Sequence, residues 1–149
     1  MQSRGAGSGI IYVAVVDDDE STCRSFGRLL RAAGFQPIPY PSAEAFLGDT
    51  KRPRFDCLVL DIQLEGISGL KLSQALTAVK DTTPVVFITA HDDPEVRAEA
   101  EVSGCAGYFR KTDPGQLVIE AITKAVYLRR AQSQEPCGEQ IWQSKESSR

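Results

Sequence analysis

Five short runs of this chain read as strands, and the clearest of them, Ile10 to Val16 and Pro84 to Ile88, are apolar without interruption. A strand exposed on one face alternates apolar and polar side chains, so an unbroken apolar run must be covered on both faces. The third run, residues 56–60, is apolar after Asp56 and is closed by Asp61, while Gln36 to Tyr40 and Ala106 to Arg110 are less uniformly apolar. Amphipathic segments fall between the runs. Glu20 to Ala33 carries Cys23, Phe26, Leu29, Leu30 and Ala33 at helical spacing before Gly34, a residue suited to a left-handed stop. Ser42 can cap a short helix with Ala45, Phe46 and Leu47 inward, ending at Gly48. Ser68 to Val79 places Leu72, Ala75, Leu76 and Val79 on one face. Asp93-Pro94 and Asp113-Pro114 each set an acidic cap before a proline at the first helical position, and Asp113 with Gln116 resembles a capping box. The helix opened by Pro94 should end at Gly104. The last should run to about Arg130, with Leu117, Ala121, Ile122, Ala125 and Val126 inward. Five β-α units with right-handed crossovers give an α/β fold, a single doubly wound parallel sheet between two helical layers.

Length and composition bound the function. With 149 residues there is room for one domain, and 42% hydrophobic and 25% charged residues describe a globular chain. The domain is expected over residues 10–130, with a flexible leader over 1–9 and a flexible polar tail over 131–149 in which Trp142 is an isolated aromatic. A net charge of -3 argues against direct nucleic-acid binding through global charge. No stretch approaches the about 20 apolar residues of a membrane span, and the Gly/Ser-rich N-terminus is no secretory signal, so a cytoplasmic location is expected. Cys23, Cys57, Cys105 and Cys137 form no metal-like cluster with His91 and read as small hydrophobes in a reducing compartment.

In an open α/β sheet, ligands bind beyond the carboxyl ends of the strands. Those ends carry Asp17 and Asp18 after the first strand, Asp61 after the third, Thr89 after the fourth and Lys111 after the fifth. Clustered carboxylates call for a cation, and a hard ion such as Mg²⁺ (or Mn²⁺) takes oxygen ligands. Lys111 supplies a point charge and Thr89 a hydroxyl for phosphoryl oxygens, so the set fits phosphoryl transfer by positioning and electrostatics. Taken singly each residue has a plainer use: Asp19 or Glu20 as a helix cap, Lys111 as a solvated side chain, Thr89 as an ordinary strand end.

The blocks Val15-Val16-Asp17-Asp18-Asp19, Leu60-Asp61-Ile62-Gln63-Leu64 with Gly66 and Gly69, Ile88-Thr89-Ala90-His91 and Tyr108-Phe109-Arg110-Lys111 resemble the receiver domain of two-component response regulators. Segments Ser42 to Leu47 and Thr89 to His91 look most like receivers of the FixJ type, which usually precede a LuxR-type DNA-binding domain. The resemblance implies a flavodoxin-like sheet of order 2-1-3-4-5. It implies that Asp61 is the phosphoacceptor for a sensor histidine kinase. Asp18, Asp61 and the main-chain carbonyl of Gln63 would contact Mg²⁺, with Asp17 acting largely through water. Lys111 matches the phosphate-pairing lysine, Thr89 and Tyr108 the switch pair, and Gln63 and His91 the positions that modulate dephosphorylation. Signal output would pass through the face of the fourth helix, fifth strand and fifth helix to a partner, an output domain or a second copy.

Two departures stand out. Thr112 follows Lys111 where the family usually has proline on a cis bond, so a trans peptide or a mobile loop is expected here, since cis costs about 2.5–4 kcal/mol without proline. Leu64-Glu65 replaces the usual Met-Pro, adding a charge at the pocket mouth. Two rivals remain beside this signalling, non-enzymatic reading: a pseudo-receiver that binds partners without phosphorylation, and an aspartyl phosphatase of the haloacid dehalogenase type. The second normally has an acid two residues after its nucleophile, where this chain has Gln63.

Overall fold

The computed structural model describes residues 9–134; the leader before Gly9 and the end of the expected tail, with Cys137 and Trp142, lie outside the described residues. Five strands and five helices alternate: β1 Tyr12–Val16, α1 Glu20–Ala32, β2 Gln36–Tyr40, α2 Ala43–Gly48, β3 Cys57–Asp61, α3 Gly69–Ala78, β4 Val85–Thr89, α4 Pro94–Val102, β5 Gly107–Arg110 and α5 Gly115–Gln134. All strand pairs are parallel and the sheet order is β2-β1-β3-β4-β5. The chain therefore winds outward in both directions from β1, as expected.

Both faces are covered. Ala14, Val16, Leu58, Leu60 and Phe87 pack with Phe46 of α2, Leu72 and Leu76 of α3 and Ala100 of α4. Val13, Val15, Val59, Val86 and Ile88 pack with Phe26 and Leu30 of α1 and Val118, Ile122 and Val126 of α5. This two-sided burial is why β3 and β4 tolerate no polar residue before their last position.

Caps at four helices follow the sequence. Asp19, Ser42, Ser68 and Asp93 each accept from a main-chain amide in the first turn of the helix they precede. The fifth does not. Asp113 turns back and accepts from the Arg110 amide at 2.8 Å. β5 is an edge strand, so the outward Arg110 amide has no strand partner, and the nearby carboxylate satisfies that donor instead of capping α5. Several inward assignments are also corrected. Leu29, Leu47, Val79 and Leu117 are exposed, and Val118 and Ile119 take the inner face of α5. An apolar residue at the margin of a helical stripe lies off the sheet when the helix rotates by a fraction of a turn. α5 continues four residues past Arg130, to Gln134.

The last turns of α5 are fastened to the starts of β1 and β3. Arg130 pairs with Asp56 at 3.1 Å and donates to the Ile10 carbonyl, while Arg129 donates to the Phe55 carbonyl.

Candidate functional site

The neighbouring strand hydrogen-bonds the backbone at or just beyond each end that carries a candidate group. The Asp17 amide donates to the Tyr40 carbonyl, the Ile62 amide to that of Ile88, and the Lys111 amide to that of Thr89, at 2.8–3.0 Å. The ladder thus runs on to the residues that do the chemistry, and the sheet places them at its carboxyl rim. Gly69 lies so close above β3 that a Cβ would collide with the Asp61 carbonyl, which fixes the return of the loop.

Side chains converge at that rim. The Lys111 ammonium lies 2.9 Å from Asp17 Oδ2 and 3.0 Å from Asp61 Oδ2. Both carboxylates are buried. Asp17 Oδ1 accepts from the Asp19 amide at 2.8 Å, and Asp61 Oδ1 from the Gln63 amide at 3.0 Å. Asp17 Oδ2 is different. The ammonium is close but off the hydrogen-bonding direction, so this buried oxygen has no hydrogen-bond partner. Burial pushes the Asp17 carboxyl up to about 6, against the pull of Lys111 and the Asp19 amide. For Lys111, burial works against the charge, but Asp17 and Asp61 outweigh it and hold the ammonium above its ordinary range.

Asp18 completes the cluster. One carboxylate oxygen from each of Asp17, Asp18 and Asp61 falls within a 4.8 Å group, and Asp18 is the exposed member. Three convergent carboxylate oxygens, two of them from buried side chains, are the donor set a hard divalent cation takes, so these residues fit Mg²⁺. Asp17 therefore stands inside the oxygen cluster itself.

The remaining candidates occupy the surrounding loops. Thr89 is buried at the end of β4, and its hydroxyl donates to the His91 carbonyl at 2.8 Å while accepting from the His91 amide. Gln63 and His91 are exposed. Tyr108 is buried, with the Arg97 guanidinium 5.0 Å from its ring centre. Its hydroxyl makes no hydrogen bond by geometry; burial first, and the nearby Asp92 carboxylate second, push its pKa up. The Lys111–Thr112 peptide is trans. Two contacts had no sequence signal. Cys23 donates its thiol to the Asp17 carbonyl at 3.4 Å, and Glu44 of α2 accepts from the Ile67 amide at 3.1 Å, tying the loop after β3 to α2. Gly66, at φ 77°, leaves the space that Glu44 enters.

A shared family accounts for this geometry. The response regulator receiver domain model matches residues 13–123. The chain belongs to that family. The receiver is 34% identical over 113 residues to the transcriptional regulatory protein FixJ of Rhizobium meliloti, covering 76% of this chain and 55% of FixJ. It is 29% identical over 121 residues to the response regulator protein TodT of Pseudomonas putida, covering 81% of this chain and 52% of TodT. The chain thus spans about half the length of the curated relatives it matches. The solved structure of FixJ-N superposes with a TM-score of 0.71 at 31% identity, over 85% of this receiver and 96% of that chain. Among the described residues, no helix of the receiver is long and apolar enough to cross a membrane.

Proposed function

We propose that this receiver accepts a phosphoryl group on Asp61 from a sensor histidine kinase, in the presence of Mg²⁺ (or Mn²⁺), and signals the event through α4, β5 and α5. The observation that carries the reading is the Lys111 ammonium held 2.9 and 3.0 Å from Asp17 and Asp61 beside a three-carboxylate cluster. In the transfer, an Asp61 oxygen forms the new bond to phosphorus as the phosphorus–nitrogen bond of a phosphohistidine breaks, and the electron pair leaves with the imidazole. Asp17, Asp18, Asp61 and the Gln63 carbonyl would hold the cation, which supplies charge neutralisation for the incoming phosphoryl group. Lys111 would exchange its contact with Asp61 Oδ2 for one with a phosphoryl oxygen.

The aspartyl phosphate would add about two negative charges and three acceptor oxygens. Thr89 would give up the His91 carbonyl for one of them. Its β4 neighbour Phe87 is in register with Tyr108, so a shift at Thr89 is passed to β5 and to the Arg97 contact on α4. Gln63 and His91, exposed at the mouth, would set access for the hydrolytic water. The reading covers a signalling phosphoacceptor rather than a turnover enzyme. Its output is proposed to be a partner protein, a further domain or a second copy docked on α4-β5-α5, with no direct nucleic-acid contact by the domain, and its location cytoplasmic.

The test is phosphorylation by acetyl phosphate, with beryllofluoride as a mimic. Wild type should gain a Mg²⁺-dependent phosphoryl group and amide shifts across α4 and β5, and Asp61→Asn neither. Identical behaviour of the two proteins overturns the reading in favour of a pseudo-receiver. Sustained hydrolysis of small phosphate esters would point instead to the phosphatase.

A further inference from the structure

The opposite end of the sheet holds a charge cluster that phosphoryl chemistry at Asp61 does not use. A cleft of about 720 Å³ opens between the end of α2, the start of β3, the end of α3 and α5. Arg52, Arg54, Lys80 and Arg129 line it, against two carboxylates, Asp49 and Asp81. Among the described residues, none of these four cations pairs with a carboxylate.

Two of the cations are held in place by neutral acceptors. Arg52 donates through Nη1 to the Phe46 and Asp49 carbonyls at 3.0 and 3.3 Å, and Arg129 through Nη1 to the Phe55 carbonyl at 3.0 Å. Each contact orients a guanidinium that has no carboxylate in salt-bridge contact, and Arg52 also lies over the Phe46 ring at 4.5 Å. The carboxylates, by contrast, are engaged within the wall. Asp49 accepts from the Tyr40 hydroxyl at 2.6 Å and the Lys51 amide at 3.1 Å. Asp81 accepts from the Thr83 hydroxyl at 2.6 Å and its amide at 2.9 Å. Burial opposes the Asp81 charge, but the Thr83 donors together with the fields of Arg129 and Arg52 hold its carboxyl below the usual range.

Lys80 adds a second, independent observation. It is the one non-glycine residue with positive φ among the described residues, at 64°. It sits directly after the cap of α3, where the Lys80 amide bonds to the Thr77 carbonyl and the Asp81 amide to the Leu76 carbonyl, a Schellman closure. The equivalent positions after α1 and α4 are Gly34 and Gly104, at φ 91° and 83°. Glycine adopts this conformation without a Cβ penalty, so a lysine here keeps a disfavoured backbone and gains an ammonium at the cleft wall.

We propose that this cleft binds a small ligand through two or more linked phosphate groups. Planar guanidinium forks match phosphate oxygens, the cleft has the size of small-ligand sites (about 300–1,000 Å³), and the cations exceed the carboxylates by two charges. The site lies at the amino ends of the strands and stands independently of the phosphoacceptor reading.

Inorganic pyrophosphate and ADP are titrated separately into the full chain at physiological ionic strength with EDTA present, so that no metal can recruit anions to the acidic rim. Amide shifts are followed by NMR. Saturable shifts are expected at residues 50–55 and 80–83 and in α5 near Arg129. Lys80→Gly and Arg54→Gln should each weaken binding roughly fivefold, a modest loss for one charged contact. The melting temperature of Lys80→Gly should be unchanged or raised, because the strain goes with the side chain. Equal affinity for both probes assigns recognition to the phosphates alone, and tighter ADP binding assigns it to a nucleotide; either supports the site. Absence of saturable shifts overturns it, as do shifts confined to other regions. Lys80→Gly raising the melting temperature without weakening binding leaves Lys80 a mere cap and overturns it too. Sulfate binding as well as pyrophosphate, indifferent to both substitutions, means an adventitious ion only.

Discussion

At the carboxyl end of the sheet three carboxylates cluster and two of them share one ammonium group, whereas at the amino end four cations face two carboxylates that are already hydrogen-bonded. The acceptors available at each place explain the difference. Arg52 and Arg129 rest on main-chain carbonyls, and Arg130 adds the Ile10 carbonyl to its pair with Asp56, so the amino end is held without any ligand. At the carboxyl rim Asp17 and Asp61 must share Lys111, and Asp17 Oδ2 is left with no hydrogen bond. Main-chain carbonyls brace the amino end, whereas the carboxyl rim gathers carboxylate oxygens of the kind a divalent cation takes.

The sharpest way to break that contrast is Lys111→Ala. Removing the shared ammonium leaves two buried carboxylates facing each other, and metal-free stability at pH 7 should fall by about 2–4 kcal/mol. Saturating Mg²⁺ should restore most of it, read as the urea midpoint with EDTA and with metal. An equal loss in both conditions would mean that the rim does not depend on a cation.

The next effect is the pH profile. The folded Asp17 carboxyl stands at about 6 against an ordinary 3.8, so between those values the folded state binds more protons than the unfolded one. Stability should therefore fall as pH rises from about 4 to about 6. Asp17→Asn or added Mg²⁺ should flatten the slope. A metal-free profile without it would remove the strained carboxylate from the comparison.

Arg130→Ala probes the other end. Losing the Asp56 pair and the Ile10 contact should cost about 1 kcal/mol, equally with and without Mg²⁺. The smallest change is expected from Tyr108→Phe. Its buried hydroxyl has no hydrogen-bond partner, so removing it should alter the urea midpoint by less than about 0.5 kcal/mol or raise it slightly. A larger loss would reveal a partner for that hydroxyl and sharpen the account of β5.

Much of the rim could be read before any coordinates. Asp61 closes an apolar run, and burial on both faces leaves a strand only its end for a charge. Asp17, Thr89 and Lys111 were legible for the same reason, and Asp18 through its place beside Asp17. The plainer reading of Asp19 as a cap also held. The reading failed where partners compete. Asp113 had the pattern of a cap, yet the open edge of β5 offered it a nearer donor. Leu29, Val79 and Leu117 had the right spacing but lay at the margins of their stripes. Glu44 at Ile67, and the four arginines and lysines around the lower cleft, are drawn from distant segments and carry no local pattern.

Periodicity and the punctuation of prolines, glycines and caps were enough to specify the strand–helix alternation, its two-sided core and the identity of the groups at the strand ends, because each depends on near neighbours in the chain. Packing alone set which oxygen of Asp17 went without a partner, where Lys111 came to rest between two acids, and why four cations gathered at the far pole. Those outcomes are distances between residues remote in the chain, and such distances exist only after the layers have closed on one another.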